Sequence, residues 1–355
     1  MPGLSELLQQ YTCEGELYEK LDNNRVHCYA CGHDCPIPEG GLGVCKVRFN
    51  QGGRLMVPFG YVGGAQCDPV EKKPFFHVLP GALAFSFGML GCDLHCGYCQ
   101  NWVTSQALRD PEALSPAYRT TPEELVRSAI EQGAQLVVST YNEPLITSEW
   151  AVAVFKKAKA AGLLTAYVSN GNGTPRVLEY LRPWVDLYKV DLKGYDDRRY
   201  RKLGGRLQPI LDTIRGLHQS GFWVEIVTLL VPGFNDSEAE LTGLTEFIAG
   251  VSPAIPWHVT AYHQDYKMTD SRDTMPADLE RAAEFGKRAG LRYVYAGNLP
   301  AKLRGLENTY CPDCGRLLVE RRGYRILHYS ITSTGTCPSC SLAIPGRWAA
   351  AKDSG

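Results

Sequence analysis

Three cysteines, Cys92, Cys96 and Cys99, fall within the run GCDLHCGYCQNW over residues 91–102. Thiolates at this spacing suit a cubane iron–sulfur cluster, whose usual complement is four cysteines. Three thiolates leave one iron without a protein ligand. Closed metal sites are structural and sites with an open position do chemistry, a rule stated for zinc that applies here by the same logic. A strand-like apolar stretch over residues 82–90 leads straight into the run.

Eight further cysteines form two quartets. Cys28, Cys31, Cys35 and Cys45 lie in a Gly- and Pro-rich, loop-like segment, CYACGHDCPIPEGGLGVC. Four thiolates there bind either zinc, which is redox-silent and stabilises a loop too short for its own core, or a second iron–sulfur cluster. The spacing leaves both open, with zinc slightly favoured; His27 and His33 read as bystanders. Cys311, Cys314, Cys337 and Cys340 form a CPDC…CPSC pair around an alternating, hairpin-like segment. That pattern is a zinc ribbon or a rubredoxin-like module. Only Cys13 and Cys67 stand alone among thirteen cysteines, so the thiols read as metal ligands and not as a disulfide framework.

The elements that must position the first motif follow from periodicity. Strand-like runs at residues 82–90, 136–141, 164–168, 187–192, 223–230, 258–262 and 292–296 alternate with amphipathic segments. Helix starts are marked at Thr121-Pro122-Glu123-Glu124, Thr174-Pro175 and Asn235-Asp236-Ser237. About six repeats predict an α/β fold, a partial (β/α)6 TIM-type barrel with its chemistry at the C-terminal strand ends. Polar residues collect there: Asn142 and Glu143, then Ser169 and Asn170, then Asp191 and Lys193. The chain divides into a Cys-rich region and linker (1–80), the barrel (81–300) and the ribbon-like module (301–355). Residues 1–26 begin with a short helix through Leu4, Leu7 and Leu8. The segment DPVEKKPFFHVLPG reads as a linker, although Lys72, Lys73 and His77 have the chemistry to face the cluster. The tail after Pro345 is expected to fray.

Composition narrows the setting. A net charge of −1 with 44% hydrophobic and 21% charged residues is that of an ordinary globular protein. It gives no electrostatic reason for nucleic acid or an anionic membrane as partner. No run of eighteen apolar residues predicts a membrane span. The mixed, acidic start lacks a secretory pattern, so a cytoplasmic location is expected.

The Cys92-Cys96-Cys99 spacing with Tyr98 before the last cysteine resembles the signature of the radical S-adenosylmethionine superfamily. The resemblance implies a [4Fe-4S] cluster whose open iron chelates S-adenosylmethionine, and a 5′-deoxyadenosyl radical that abstracts hydrogen. Tyr141-Asn142-Glu143-Pro144, Ser169-Asn170-Gly171 and Asp191-Leu192-Lys193 resemble turns of the pyruvate formate-lyase activating enzyme group. By that likeness Glu143 receives the methionine ammonium, and Asn142 adds a contact. Ser169 and Asn170 lie near the ligand, and Lys193 faces its carboxylate. Val168 stands where the group has a cation-binding Asp, which puts that cation site in doubt. Tyr262-His263 resembles a pair near the ribose, making His263 a cofactor contact.

Over residues 25–300 the chain is similar to the radical enzyme of the AmmeMemoRadiSam system, through STYNEP, DLKGYDDRRYRKLGG, VTLLVPGFND and PWHVTAYHQDYKM. The resemblance implies a reductant such as flavodoxin or ferredoxin, and a protein substrate or system partners. It leaves the substrate open. His258, Asp265 and Tyr266 are candidates for the substrate side. One version of this reading makes a glycyl radical on a partner protein. A reading of another class is a zinc-ribbon binding or scaffold protein whose barrel no longer catalyses.

Overall fold

The computed structural model describes residues 4–299, 303 and 305–348. Eight strands form one sheet in strict chain order. Strand β1 (Gly64–Pro69) runs antiparallel to β2 (Leu83–Gly88). Strands β3 (Leu136–Ser139), β4 (Leu164–Ser169), β5 (Leu187–Asp191), β6 (Trp223–Leu230), β7 (Trp257–Ala261) and β8 (Val294–Gly297) all continue parallel to β2. These seven parallel strands begin and end within two residues of the predicted runs.

Six crossover helices join them: α1 (Pro122–Glu131), α2 (Ser148–Ala160), α3 (Pro175–Leu181), α4 (Leu207–Gln219), α5 (Glu238–Val251) and α6 (Pro276–Arg288). The helix-start signals act as read. Thr121 and Glu124 form a reciprocal capping box, at 3.2 and 2.9 Å. Thr174 caps α3 and Ser237 caps α5 through their hydroxyls. The result is six β/α repeats closed by a seventh parallel strand. The antiparallel β1, which precedes residue 81, belongs to the same sheet. A Cβ at Gly88 would lie 2.4 Å from the Thr140 carbonyl oxygen, so only glycine permits the approach of β2 to the loop after β3.

Strands β1 and β8 are the two edges of the sheet. Residues 70–79 and the C-terminal module meet in that region. His77 Nε2 lies 2.6 Å from Tyr295 Oη of β8, and Phe76 packs edge-on against Tyr295 and His258. Buried Arg321, in the module's strand β10 (Leu317–Arg322), donates to the Phe76 carbonyl at 2.7 Å. The module pairs β9 (Thr309–Tyr310) with β10 (Leu317–Arg322), and β10 with β11 (Arg325–Tyr329). Its last described residues are anchored, contrary to the expected fraying. Arg347 N donates to the His77 carbonyl and Leu79 N donates to the Arg347 carbonyl, both at 2.7 Å. Residues 349–355 lie outside the described residues.

The Cys-rich N-terminal region shares one apolar core with the barrel, from Leu8 and Val26 to Trp150 and Ile210. Buried Arg48 joins the two, pairing with Glu149 of α2 and donating to the Ile146 carbonyl at 2.8 Å. Thr174 Oγ1 donates to the Tyr29 carbonyl at 2.7 Å, and Arg176 covers the Tyr29 ring. The region thus packs against the loop that follows β4.

Candidate active site

A cavity of about 460 Å³ opens at the C-terminal ends of the parallel strands, lined on one side by Cys92, Cys96, Tyr98 and Cys99. Its opposite walls carry Asn142 and Glu143 from after β3, Ser169 and Asn170 at the end of β4, and Lys189, Asp191 and Lys193 from β5. The predicted polar strand ends therefore meet the three cysteines in one space. Inward positions alternate along each strand, which is why Lys189 and Asp191, two apart, face the same cavity.

Glu143 is the hub of this cluster. It is buried and accepts from Ser169 Oγ and Asn170 N at 2.7 Å each, and from Leu145 N at 3.0 Å. Burial, then the charge of Asp93, push its carboxyl up to about 8, against the pull of those donors. Asn142 spends its amide locally: Oδ1 accepts from Met89 N at 3.0 Å, and Nδ2 donates to the Glu143 carbonyl at 3.2 Å. Lys193 lies 3.7 Å from Asp191, whose other oxygen pairs with buried Lys189. Asp191 and the Cys96 thiol hold the Lys193 ammonium well above its ordinary value, against burial.

The cysteine loop is braced from three directions. Asp93, fully buried, accepts from Asn170 Nδ2 and Asn172 Nδ2 at 2.7 Å each. Arg109 donates to the Cys92 carbonyl at 2.6 Å. Lys267 N and Met268 N both donate to the Gly97 carbonyl at 2.9 Å. The Cys99 Sγ lies 3.2 Å from Ser105 Oγ. Burial raises the Cys92 and Cys96 thiols, the latter to about 12, so thiolate here needs a metal or another cation to balance it. Tyr98, beside Cys99, is buried with its hydroxyl unpartnered.

The substrate-side candidates separate. His258 lines the cavity, bonded to Glu225 at 2.7 Å and stacked on Tyr295. Burial lowers its pKa despite Glu225. His263, Asp265 and Tyr266 are not among the lining residues. His263 is exposed, and Asp265 accepts from Tyr266 N at 2.7 Å. Tyr266 stacks on Trp102 and donates to Asp110 at 2.7 Å. These three belong to the loop that braces Gly97 from outside.

Several residues in or behind the cavity wall lie outside the strand-end motifs. Lys189 was legible, because it shares the inward register of Asp191. Asp93 was signalled only by adjacency to Cys92. Lys72, Lys73 and Glu71 enter from the segment read as a linker, and Gly323 and Tyr324 from the C-terminal hairpin. Lys73 is 4% exposed and bonds Asp68 and Tyr141 Oη.

The remaining cysteines differ in spacing. The Sγ atoms of Cys311 and Cys340 are 3.5 Å apart and those of Cys314 and Cys337 3.6 Å apart. All four lie within 4.8 Å of one another, a geometry that fits one metal ion. Residues Cys28 and Cys35 face each other across paired strands, and Cys31 and Cys45 are buried.

Residues 88–243 match the family model for the radical SAM superfamily. The chain is 37% identical over 335 residues to uncharacterized protein MJ0808 of Methanocaldococcus jannaschii, covering 93% of this chain and 98% of that one. It is 29% identical over 190 residues to a pyruvate formate-lyase-activating enzyme of Staphylococcus epidermidis, covering 49% and 72%. The solved structure of Streptococcus suis SuiB bound to precursor peptide SuiA aligns with a TM-score of 0.50 at 16% identity, covering 66% of this chain and 52% of that one. At that identity the likeness speaks for the fold. The chain belongs to the radical SAM superfamily and is an enzyme of that class. Among the described residues, no helix is long and apolar enough to cross a membrane.

Proposed function

We propose that Cys92, Cys96 and Cys99 hold an open [4Fe-4S] cluster and that S-adenosylmethionine binds beside it in the barrel-mouth cavity. The observation that carries this is the cavity itself, which three buried or half-buried thiols share with Glu143, Ser169, Asn170 and Lys193. The donor set fits: three soft ligands with no fourth thiol in the lining. With cluster and cofactor bound, one electron splits the sulfonium and yields a 5′-deoxyadenosyl radical that abstracts hydrogen from the substrate.

The chain's own residues do the holding. Lys193, kept charged by Asp191, offers an ammonium to the cofactor's carboxylate. The acceptor pair for the amino group is Glu143, oriented by Ser169 and the Asn170 amide, although Glu143 already serves three internal donors. Asp93 fixes the cysteine loop against the turn after β4. The buried Tyr98 hydroxyl has a free valence for the ligand. The closely spaced C-terminal quartet holds zinc and stabilises the hairpin that lends Tyr324 to the cavity wall.

The finer assignment is to the radical enzyme of the AmmeMemoRadiSam system, with the barrel unit taken from β1 and the cavity-lining residues 71–73, ahead of the boundary expected at residue 80, to residue 300. In its support, the quoted segments STYNEP and VTLLVPGFND supply Thr140, Tyr141, Val227 and Leu229 to the cavity. Thirteen cysteines, none of them paired in a disulfide, suit a reducing, cytoplasmic setting and a flavodoxin or ferredoxin as donor. A second reading, a glycyl-radical activase acting on a partner protein, is favoured by the named activating enzyme among the relatives. The test common to both is spectroscopic. Reduced, reconstituted protein should give a [4Fe-4S] electron paramagnetic resonance signal that changes when S-adenosylmethionine is added. A signal indifferent to it contradicts the reading.

A further inference from the structure

The three cysteine sets differ in spacing as well as position. Zinc–thiolate bonds of about 2.3 Å in a tetrahedron place sulfur atoms roughly 3.8 Å apart. Among the described residues, the C-terminal quartet alone brings its ligand atoms within 4.8 Å of one another. No three of Cys28, Cys31, Cys35 and Cys45 do so, and neither do Cys92, Cys96 and Cys99. A cubane core, with four irons and four sulfides between its ligands, holds thiolates farther apart than one ion can. The N-terminal quartet, like the barrel-mouth trio, lacks the tight single-ion spacing of the C-terminal site.

Its placement adds a second, independent observation. Arg109 spans the two cysteine loops, donating to the Cys92 and Val44 carbonyls at 2.6 Å each. His33 Nε2 lies 3.0 Å from the Asp93 carbonyl oxygen. A Cβ at Gly91 would lie 2.8 Å from Val47 Cγ1 and 3.5 Å from the Cys45 carbonyl oxygen. The loops are in direct contact. Cys31 and Cys45 are buried and Cys35 is partly exposed, so the quartet has an inner and an outer side. The buried Arg48 guanidinium approaches the Cys28 Sγ at 3.8 Å, and donors near cluster sulfurs tune their potential.

We propose that Cys28, Cys31, Cys35 and Cys45 hold a second, fully ligated [4Fe-4S] cluster that relays electrons to the cluster at the barrel mouth. A one-electron donor of the flavodoxin or ferredoxin class reduces it on the Cys35 side from the 2+ to the 1+ state. The same electron then passes to the open cluster and returns the relay to 2+. The site's metal is independent of the proposed function; the relay role rests on it.

The test is metal, sulfide and spectroscopic analysis of the full chain reconstituted anaerobically with iron and sulfide in the presence of zinc. The proposal expects about eight irons per chain, with zinc confined to the C-terminal quartet. The triple variant Cys92→Ala, Cys96→Ala, Cys99→Ala should retain about four irons and a reduced-cluster signal that ignores S-adenosylmethionine. The double variant Cys28→Ala, Cys31→Ala should keep about four irons and the S-adenosylmethionine-sensitive signal. With dithionite it should form 5′-deoxyadenosine, and with reduced flavodoxin at least about tenfold less than the unaltered chain. About four irons with two zincs in the unaltered chain overturns the proposal, whatever the variants do. Two clusters without 5′-deoxyadenosine from any reductant sink the proposed function and leave the second cluster standing. Equal yields from flavodoxin in the unaltered chain and the double variant remove the relay.

Discussion

Asp93 and Asn170, 77 residues apart, meet at 2.7 Å between the first cysteine of the mouth motif and the turn after β4. The carboxylate between Asn170 and Asn172 is fully buried. One side chain thereby fixes the cysteine loop to the strand end that also supplies Ser169. Replacing Asp93 by Ala leaves two buried amides without an acceptor, at a cost of about 1–3 kcal/mol each. The variant should melt lower and retain less iron after reconstitution, by calorimetry and iron analysis. Unchanged iron retention would show that the loop does not depend on this clamp.

Lys193, on the β5 side of the cavity, is held charged by Asp191 and then by Cys96, against burial. A charge-assisted hydrogen bond of about 1.5–3 kcal/mol corresponds to roughly ten- to hundredfold in affinity. Lys193→Met should weaken S-adenosylmethionine binding by that factor while iron content stays the same. Equilibrium dialysis with the labelled cofactor checks it.

The protonation of Glu143 ties stability to pH. Burial and Asp93 raise its carboxyl from the ordinary 4.5 to about 8. Across that interval the folded chain binds a proton that the unfolded chain has released, so stability falls as pH rises and levels off above about 8. Melting of the apo-protein between pH 5 and 8 should show this slope, and Glu143→Gln should flatten it. An unchanged slope in the variant would assign the dependence to other groups.

Arg321 ties the C-terminal hairpin to the barrel. It donates to the Phe76 carbonyl and to Thr309 Oγ1, and lies 3.8 Å from buried Glu71. Arg321→Ala should destabilise by about 3–5 kcal/mol, because Glu71 is left as an uncompensated buried charge. Denaturant unfolding measures it. Adding Glu71→Gln should recover part of the loss.

The legible part of this site was the part written in strand register. Glu143, Ser169, Asp191 and Lys193 follow apolar runs whose period announces a parallel strand, and such strands present their ends to one mouth. Lys72 and Lys73 carried the right chemistry in a segment that reads as a linker, and Tyr324 gave no signal at all, because these segments reach the cavity only through tertiary packing between the ends of the sheet. His263, Asp265 and Tyr266 follow β7 as closely as Glu143 follows β3, yet they leave the mouth. Tyr266 adopts φ of +55°, and its ring stacks on Trp102, outside the cavity lining. No period or spacing encodes a turn of that kind.

The central claim is that the three mouth thiolates make this chain a source of the 5′-deoxyadenosyl radical. The direct measurement is 5′-deoxyadenosine formed by the anaerobically reconstituted protein given dithionite and S-adenosylmethionine. The account predicts formation by the unaltered chain and its loss in Cys92→Ala, Cys96→Ala and Cys99→Ala alike. The same yield from all four proteins would contradict it.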